Sequence, residues 1–89
     1  LGNPSLDDFF KIKKDISNSS IKFEDIDKLF FFKSNRWDLE LKNEILIKLP
    51  TKNSIEALNN YSKAINLPQF SKVKIFDMRI NNQIIINEL

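Results

Sequence analysis

The chain has 89 residues, enough for one small domain around a single core. It contains no Cys and no His, which excludes disulfide frameworks, thiol chemistry, imidazole-based triads and the usual zinc sites. A net charge of +2 names no partner, and no apolar run approaches the roughly 18 residues that a membrane span requires.

Pro4 and Ser5 precede a helix from Leu6 to Ile16. Leu6, Phe9, Ile12 (or Lys13) and Ile16 recur at helical spacing, Ser5 with Asp8 resembles a weaker form of the capping box, and Asp7 and Asp8 suit the positive helix end. Ser17 to Ser20 ends it. Adjacent carboxylates at a helix start read as caps, not as metal ligands. Ile21 to Asp27 fits either a strand or a helical turn, whereas Leu29 to Lys33, with Phe30, Phe31 and Phe32, reads as a strand. Three consecutive Phe cannot all face inward from a regular strand. One packs beneath a helix edge or marks a second contact patch.

Arg36 to Lys42 carries the clearest pattern. Trp37, Leu39 and Leu41 alternate with Arg36, Asp38, Glu40 and Lys42, as in a half-buried antiparallel strand. Trp37 therefore reads as core, not as a ligand anchor, and Asp38 and Glu40 as a solvated face, not an acid/base pair. The next strand, Ile45 to Leu49, closes at Pro50. Pairing Leu41 with Ile45 on one face requires the three-residue loop Lys42-Asn43-Glu44. That loop places Glu44 in a left-handed conformation, at a cost of about 1 kcal/mol relative to Gly. A two-residue loop would misplace the whole odd-numbered apolar set, so the three-residue loop is expected.

Asn53 and Glu56 are expected to form a second capping box, opening a helix with Ile55, Leu58, Tyr61 or Ser62, and Ile65 inward, ended by Leu67-Pro68. A strand from about Ser71 to Ile80 is expected to carry Val73 and Ile75 on one face and Phe76 and Met78 near the other. Asp77 and Arg79 share a face of it, where an ionic network with Arg36 is conceivable. Asn81-Asn82-Gln83 then turns into a last strand, Ile84-Ile85-Ile86. The order predicts an α+β domain, an antiparallel-rich mixed sheet packed against two helices; on the residues alone, Ile84-Ile85-Ile86 fits a central strand as well as an exposed C-terminal edge strand.

The hairpin Arg36-Trp37-Asp38-Leu39-Glu40-Leu41-Lys42-Asn43, ending in Leu49-Pro50, resembles that of bacterial cell-division proteins of the FtsQ/DivIB family, where an Arg-aromatic strand, a Lys-Asn-Gly turn and Leu-Pro are common in alphaproteobacterial members. Val73 to Arg79 resembles that family's apolar-Asp-Leu-Arg strand, and Asn82 to Ile86 the segment after it. The chain departs from the pattern at Glu44 (usually Gly), at Met78 (often Leu) and at Asn87-Glu88.

The resemblance implies a non-enzymatic module with no cofactor. It would be the membrane-distal β domain of a single-pass protein of the cell inner membrane, lying in the periplasm, with a transmembrane segment and a POTRA domain upstream. Its partners would be FtsB/FtsL-like division proteins, bound by addition along the last strand during septum formation. By position, Ile80, Asn82, Ile84, Ile86 and Asn87 would contact the partner, while Arg36, Trp37, Leu39, Leu41, Asp77 and Arg79 would be structural. The other classes are a single-stranded nucleic-acid binder, with Lys11, Lys13, Lys14, Lys72 and Lys74 bordering exposed aromatics, and a subunit whose Ile-rich edge pairs with its own copy.

Overall fold

A computed structural model of the chain describes residues 2–80 and 83–88. Helix α1 (Leu6–Ser17) opens as the sequence predicts. The Ser5 hydroxyl accepts from the Asp8 N–H at 3.1 Å, and the Asp8 carboxylate accepts from the Ser5 N–H at 3.0 Å, so two otherwise unpartnered donors of the first turn are satisfied. Ile12 and Ile16 are its buried residues, with Phe9 packed beside them. A single 3-10 turn, Phe23–Asp25, resolves the ambiguous segment and leads into strand β1 (Ile26–Phe32).

Strand β2 (Arg36–Leu41) pairs antiparallel with β1 and with β3 (Leu46–Lys48). The three-residue loop is the one formed: Glu44 sits at φ 71°, and the Leu41 N–H donates to the Ile45 carbonyl at 2.8 Å. Leu39 faces Ile47, and the Leu49 N–H donates to the Trp37 carbonyl at 3.0 Å. Trp37, Leu39, Leu41, Ile45, Ile47 and Leu49 are all buried. The apolar set thus keeps to one face, and burying it outweighs the left-handed turn residue.

Helix α2 (Ser54–Ala64) crosses from β3 to β4 (Val73–Asp77), which lies parallel to β3, as a crossover helix permits. The expected Asn53–Glu56 box does not form. Asn53 has φ 65° and makes no side-chain cap, because a capping box needs an extended cap residue and the turn after the buried Pro50 delivers a left-handed one. Asn is among the residues that tolerate this conformation best. The buried face of α2 is Ala57, Leu58, Tyr61 and Ala64, with Ile65 partly buried at its margin.

β4 is shorter than the sequence suggests and departs from simple alternation. Its register against β5 (Ile85–Glu88) slips between Val73 and Ile75, a bulge that lets Val73, Phe76 and Met78 all join the core. Phe76 meets the edge of the Tyr61 ring at 4.9 Å. The sheet order is β1-β2-β3-β4-β5, and among the described residues only the β3–β4 pair is parallel. Two helices pack against it, giving the mixed, antiparallel-rich α+β architecture expected.

Candidate protein-binding edge

The sheet ends in β1 on one side and β5 on the other, and the two edges are built differently. β1 carries exposed Asp27 and Lys28, and its pairing with β2 is irregular between Ile26 and Lys28. The chain before α1 also passes along it, with the Gly2 N–H donating to the Phe31 carbonyl at 2.9 Å. Charges, a bulge and a covering segment are the devices that keep an edge from pairing with another chain.

Among the described residues, β5 has none of these over Ile84 to Ile86. In a strand, the N–H and C=O of one residue point to the same side, and successive residues alternate. The Met78 N–H donates to the Lys48 carbonyl at 2.8 Å, so Met78 and Phe76 address β3. Asp77 and Ile75 therefore address β5. Their register partners are Ile85 and Asn87, which leaves Ile86, opposite Phe76, with its main-chain groups turned outward. The side chains around it are open to solvent as well: Ile80 is 51% exposed, Ile84 38%, Ile85 48% and Ile86 37%. Ile84 and Ile86 share one face of the strand and Ile85 takes the other, so exposed apolar side chains flank the outward main chain on both faces.

Beside this edge, on the helix side, runs a shallow groove between the end of α2 and the start of β5. Ala64, Leu67, Phe70 and Ile84 supply its apolar wall, with Lys63 and Gln83 among its polar lining residues. Leu67 is exposed, while Phe70, in the 3-10 turn Pro68–Phe70, is half-buried with its ring 6.1 Å from that of Phe76.

The other face of the sheet bears charge. Asp77 binds Arg79 through two side-chain contacts, Nε to Oδ1 at 2.8 Å and a terminal nitrogen to Oδ2 at 2.6 Å, and also accepts from the Arg79 N–H at 3.1 Å. These hydrogen bonds hold the Asp77 carboxyl below its usual range, against the opposing effect of burial, and hold Arg79 above its own. Arg36 pairs with Asp38 on the next strand but one and donates to the Leu49 carbonyl at 3.3 Å. The conceivable network of Arg36 with Asp77 and Arg79 is thus two separate pairs. Lys48, opposite both Asp38 and Asp77 in register, stands between them.

The three Phe of β1 divide between the faces. Phe31 is buried against Trp37 at 4.9 Å between ring centres, while Phe30 and Phe32 are half-buried opposite Asp38 and Arg36. Arg36 lies over the Phe32 ring at 4.5 Å. Lys11, Lys13 and Lys14 sit on α1, which packs on the helix side through Ile12 and Ile16. The basic residues of that helix do not border the outward Phe pair, as a stacking platform for bases requires.

With the geometry in place, the comparison with known families is decisive. The family model "Cell division protein FtsQ/DivIB, C-terminal" matches residues 5–79, most of the chain. This chain belongs to that family. No curated protein and no solved structure matches it. The matched stretch of this FtsQ/DivIB-type domain runs from the cap of α1 to Arg79 and stops just short of the exposed isoleucines. Among the described residues, no group of three His, Asp or Glu is placed to hold a metal ion.

Of the expected contact residues in the FtsQ/DivIB-type domain, Ile80, Ile84 and Ile86 lie together along the free edge, Ile80 in the turn where its carbonyl accepts from the Gln83 N–H at 3.2 Å. Asn82 lies outside the described residues, and Asn87 is placed in β5 opposite Ile75. Arg36, Trp37, Leu39, Leu41, Asp77 and Arg79 sit in the sheet or its flank, with Trp37, Leu39 and Leu41 buried. Sequence reasoning did not pick out Ile85, Leu67 or Phe70 as contact candidates. Leu67, with Pro68, reads only as a helix stop, Phe70 carries no signal of its own, and a period-two pattern gives no sign of a groove formed by distant segments.

Proposed function

We propose that this chain is the membrane-distal β domain of a division protein and that it takes an extended segment of an FtsB/FtsL-like partner along β5. The observation that carries this reading is the asymmetry of the two sheet edges. β1 is charged, irregular and covered, whereas β5 offers outward main-chain groups flanked by exposed isoleucines. A strand laid beside β5 would place alternate side chains toward the groove of Leu67 and Phe70 and toward Ile85 on the open face. Main-chain hydrogen bonds would supply attachment, and the groove would select the side chain that fills it.

Family membership supports a role in cell division and, with it, a single-pass anchor in the inner membrane, a POTRA domain upstream and a periplasmic location for this domain. A reporter active only outside the cytoplasm, fused next to this domain in the full-length protein, would check that location.

The binding test is a titration of the isotopically labelled domain with the extracytoplasmic segment of the FtsB-like protein of the same organism. Amide shifts concentrated between Ile80 and Glu88, with smaller ones at Leu67 and Phe70, are expected. A folded domain whose spectrum stays unchanged at saturating peptide would sink this role for β5.

A further inference from the structure

Tyr61 is a core residue with a hydroxyl that the core does not use. Its side chain is 4% exposed, and its ring meets Phe76 edge-on. Among the described residues the hydroxyl has no hydrogen-bond partner, and it is not sealed in either, because every enclosed side-chain polar atom there is satisfied. It therefore reaches the surface, where Tyr61 lines a cleft of about 360 Å³ between the exit of α1, the end of α2 and the Lys42-Asn43 turn. Burial holds its pKa above the usual phenol value, so it stays protonated and able to donate at neutral pH. Phenylalanine would fill the same core position without this donor.

The rest of the cleft says what would meet that donor. Ile21, Leu41 and Ile65 give it apolar walls, and its volume lies at the lower end of the about 300–1,000 Å³ of ligand pockets. Asn43 spends its side-chain oxygen on the Ile45 N–H at 3.3 Å, which leaves its amide hydrogens as further donors at the rim. The Ser20 hydroxyl donates to Asn59 Oδ1 at 3.1 Å, which leaves its own lone pairs as acceptors. Asp25 and Lys42 add one charge of each sign, neither in an ion pair among the described residues. The rim is thus neutral overall and offers both donors and acceptors, the complement of a peptide group. A phosphate or other polyanion would meet Asp25 with a single lysine to offset it.

We propose that this cleft is a peptide-docking site separate from β5: it takes an aliphatic side chain between Ile21, Leu41 and Ile65, and the Tyr61 hydroxyl donates to a main-chain carbonyl beside that side chain. No described residue of β5 lines it, so the proposal does not depend on the edge-strand reading. One anchor of this size binds weakly, with dissociation in the roughly millimolar range. The contact gains affinity where the same partner is also held elsewhere on the domain.

The test is an amide titration of the isotopically labelled chain with a blocked pentapeptide carrying one central leucine between glycines, set against the all-glycine pentapeptide. Shifts at Ser20, Ile21, Leu41, Asn43 and Ile65 are expected with the leucine peptide and not with the glycine one. Tyr61→Phe is expected to weaken that binding about fivefold, the worth of one hydrogen bond. Its thermal midpoint is expected to match the wild type or to rise slightly, since no hydrogen bond within the protein is lost. A marked fall in that midpoint, or a variant that does not fold, would show that the hydroxyl is structural and overturns the proposal. So does a folded Tyr61→Phe that binds the leucine peptide as the wild type does. A wild-type spectrum unchanged at peptide concentrations well above the expected constant also overturns it, as do shifts confined to Ile80 to Glu88. Because the reporting residues differ, failure here leaves the β5 reading standing, and failure at β5 leaves this one.

Discussion

Glu44 shows how one residue can be placed against its own preference. Its φ of 71° is the left-handed region, where a side chain costs about 1–2 kcal/mol relative to Gly. The register that forces it buries Leu41 and Ile45 together, each nearly free of solvent. Full burial of such side chains contributes about 1.5–3 kcal/mol apiece, so the turn yields to the core. Glu44→Gly relieves the strain while adding freedom to the unfolded chain, and a net gain of up to about 1 kcal/mol is expected in denaturant unfolding. A loss of stability would show that the Glu44 side chain contributes more than its conformation costs. Asn35 and Asn53, also at positive φ, carry less strain because Asn tolerates that region better.

At the scale of the element, β5 and β1 are both edge strands, yet only one is open. The alternation of main-chain direction makes a sharp prediction for β5. Ile86→Pro removes an N–H that points away from the sheet, in an edge position where proline is tolerated. It is expected to leave the fold intact and to weaken binding of the FtsB-like segment at least about tenfold, given a net worth near 1 kcal/mol per hydrogen bond plus the disturbed approach. Ile85→Pro removes an N–H that addresses Asp77 and should loosen β5 from β4, seen as faster amide exchange along the strand. Equal effects of the two prolines on exchange would show that the outward assignment of Ile86 is wrong. The helices make the complementary point. α1 is capped as its sequence promised, whereas α2 takes its start from the turn after Pro50 and lacks the box.

For the whole molecule, the charged face of the sheet links stability to pH. Asp77 is held by Arg79 in the folded state, so its folded pKa lies below the unfolded value of about 3.9. Its contribution is then fully present above that unfolded value and is lost as pH falls through the lower folded one. Asp77→Asn should therefore lower stability at neutral pH and leave a shallower fall in stability below about pH 4 than the wild type shows. Thermal unfolding at several pH values measures both. An acid limb unchanged by the substitution would mean that the pair with Arg79 persists in the unfolded chain or contributes nothing. The same pair fixes the exit from β4, since Asp77 accepts from the main chain of Arg79 immediately before Ile80. The pair of a buried Asp77 and a partly exposed Arg79 thereby helps to aim the chain as it leaves β4.

Much of this domain was determined by its sequence. The period-two pattern of Trp37, Leu39 and Leu41, the parity that set the Lys42-Asn43-Glu44 loop and the Ser5–Asp8 cap are local signals with local causes, and the Arg36–Leu49 and Val73–Arg79 segments carried the family resemblance. The tertiary structure decided what depends on contacts between distant residues. The bulge that brings Val73 and Phe76 into one core arises in the pairing of β4 with β5. The division of Phe30, Phe31 and Phe32 between faces follows from the partner strand β2. Likewise, three successive isoleucines are apolar whether they lie in a central strand or at an edge. Only the sheet order, with β5 outermost among the described residues, distinguishes a central strand from an edge strand.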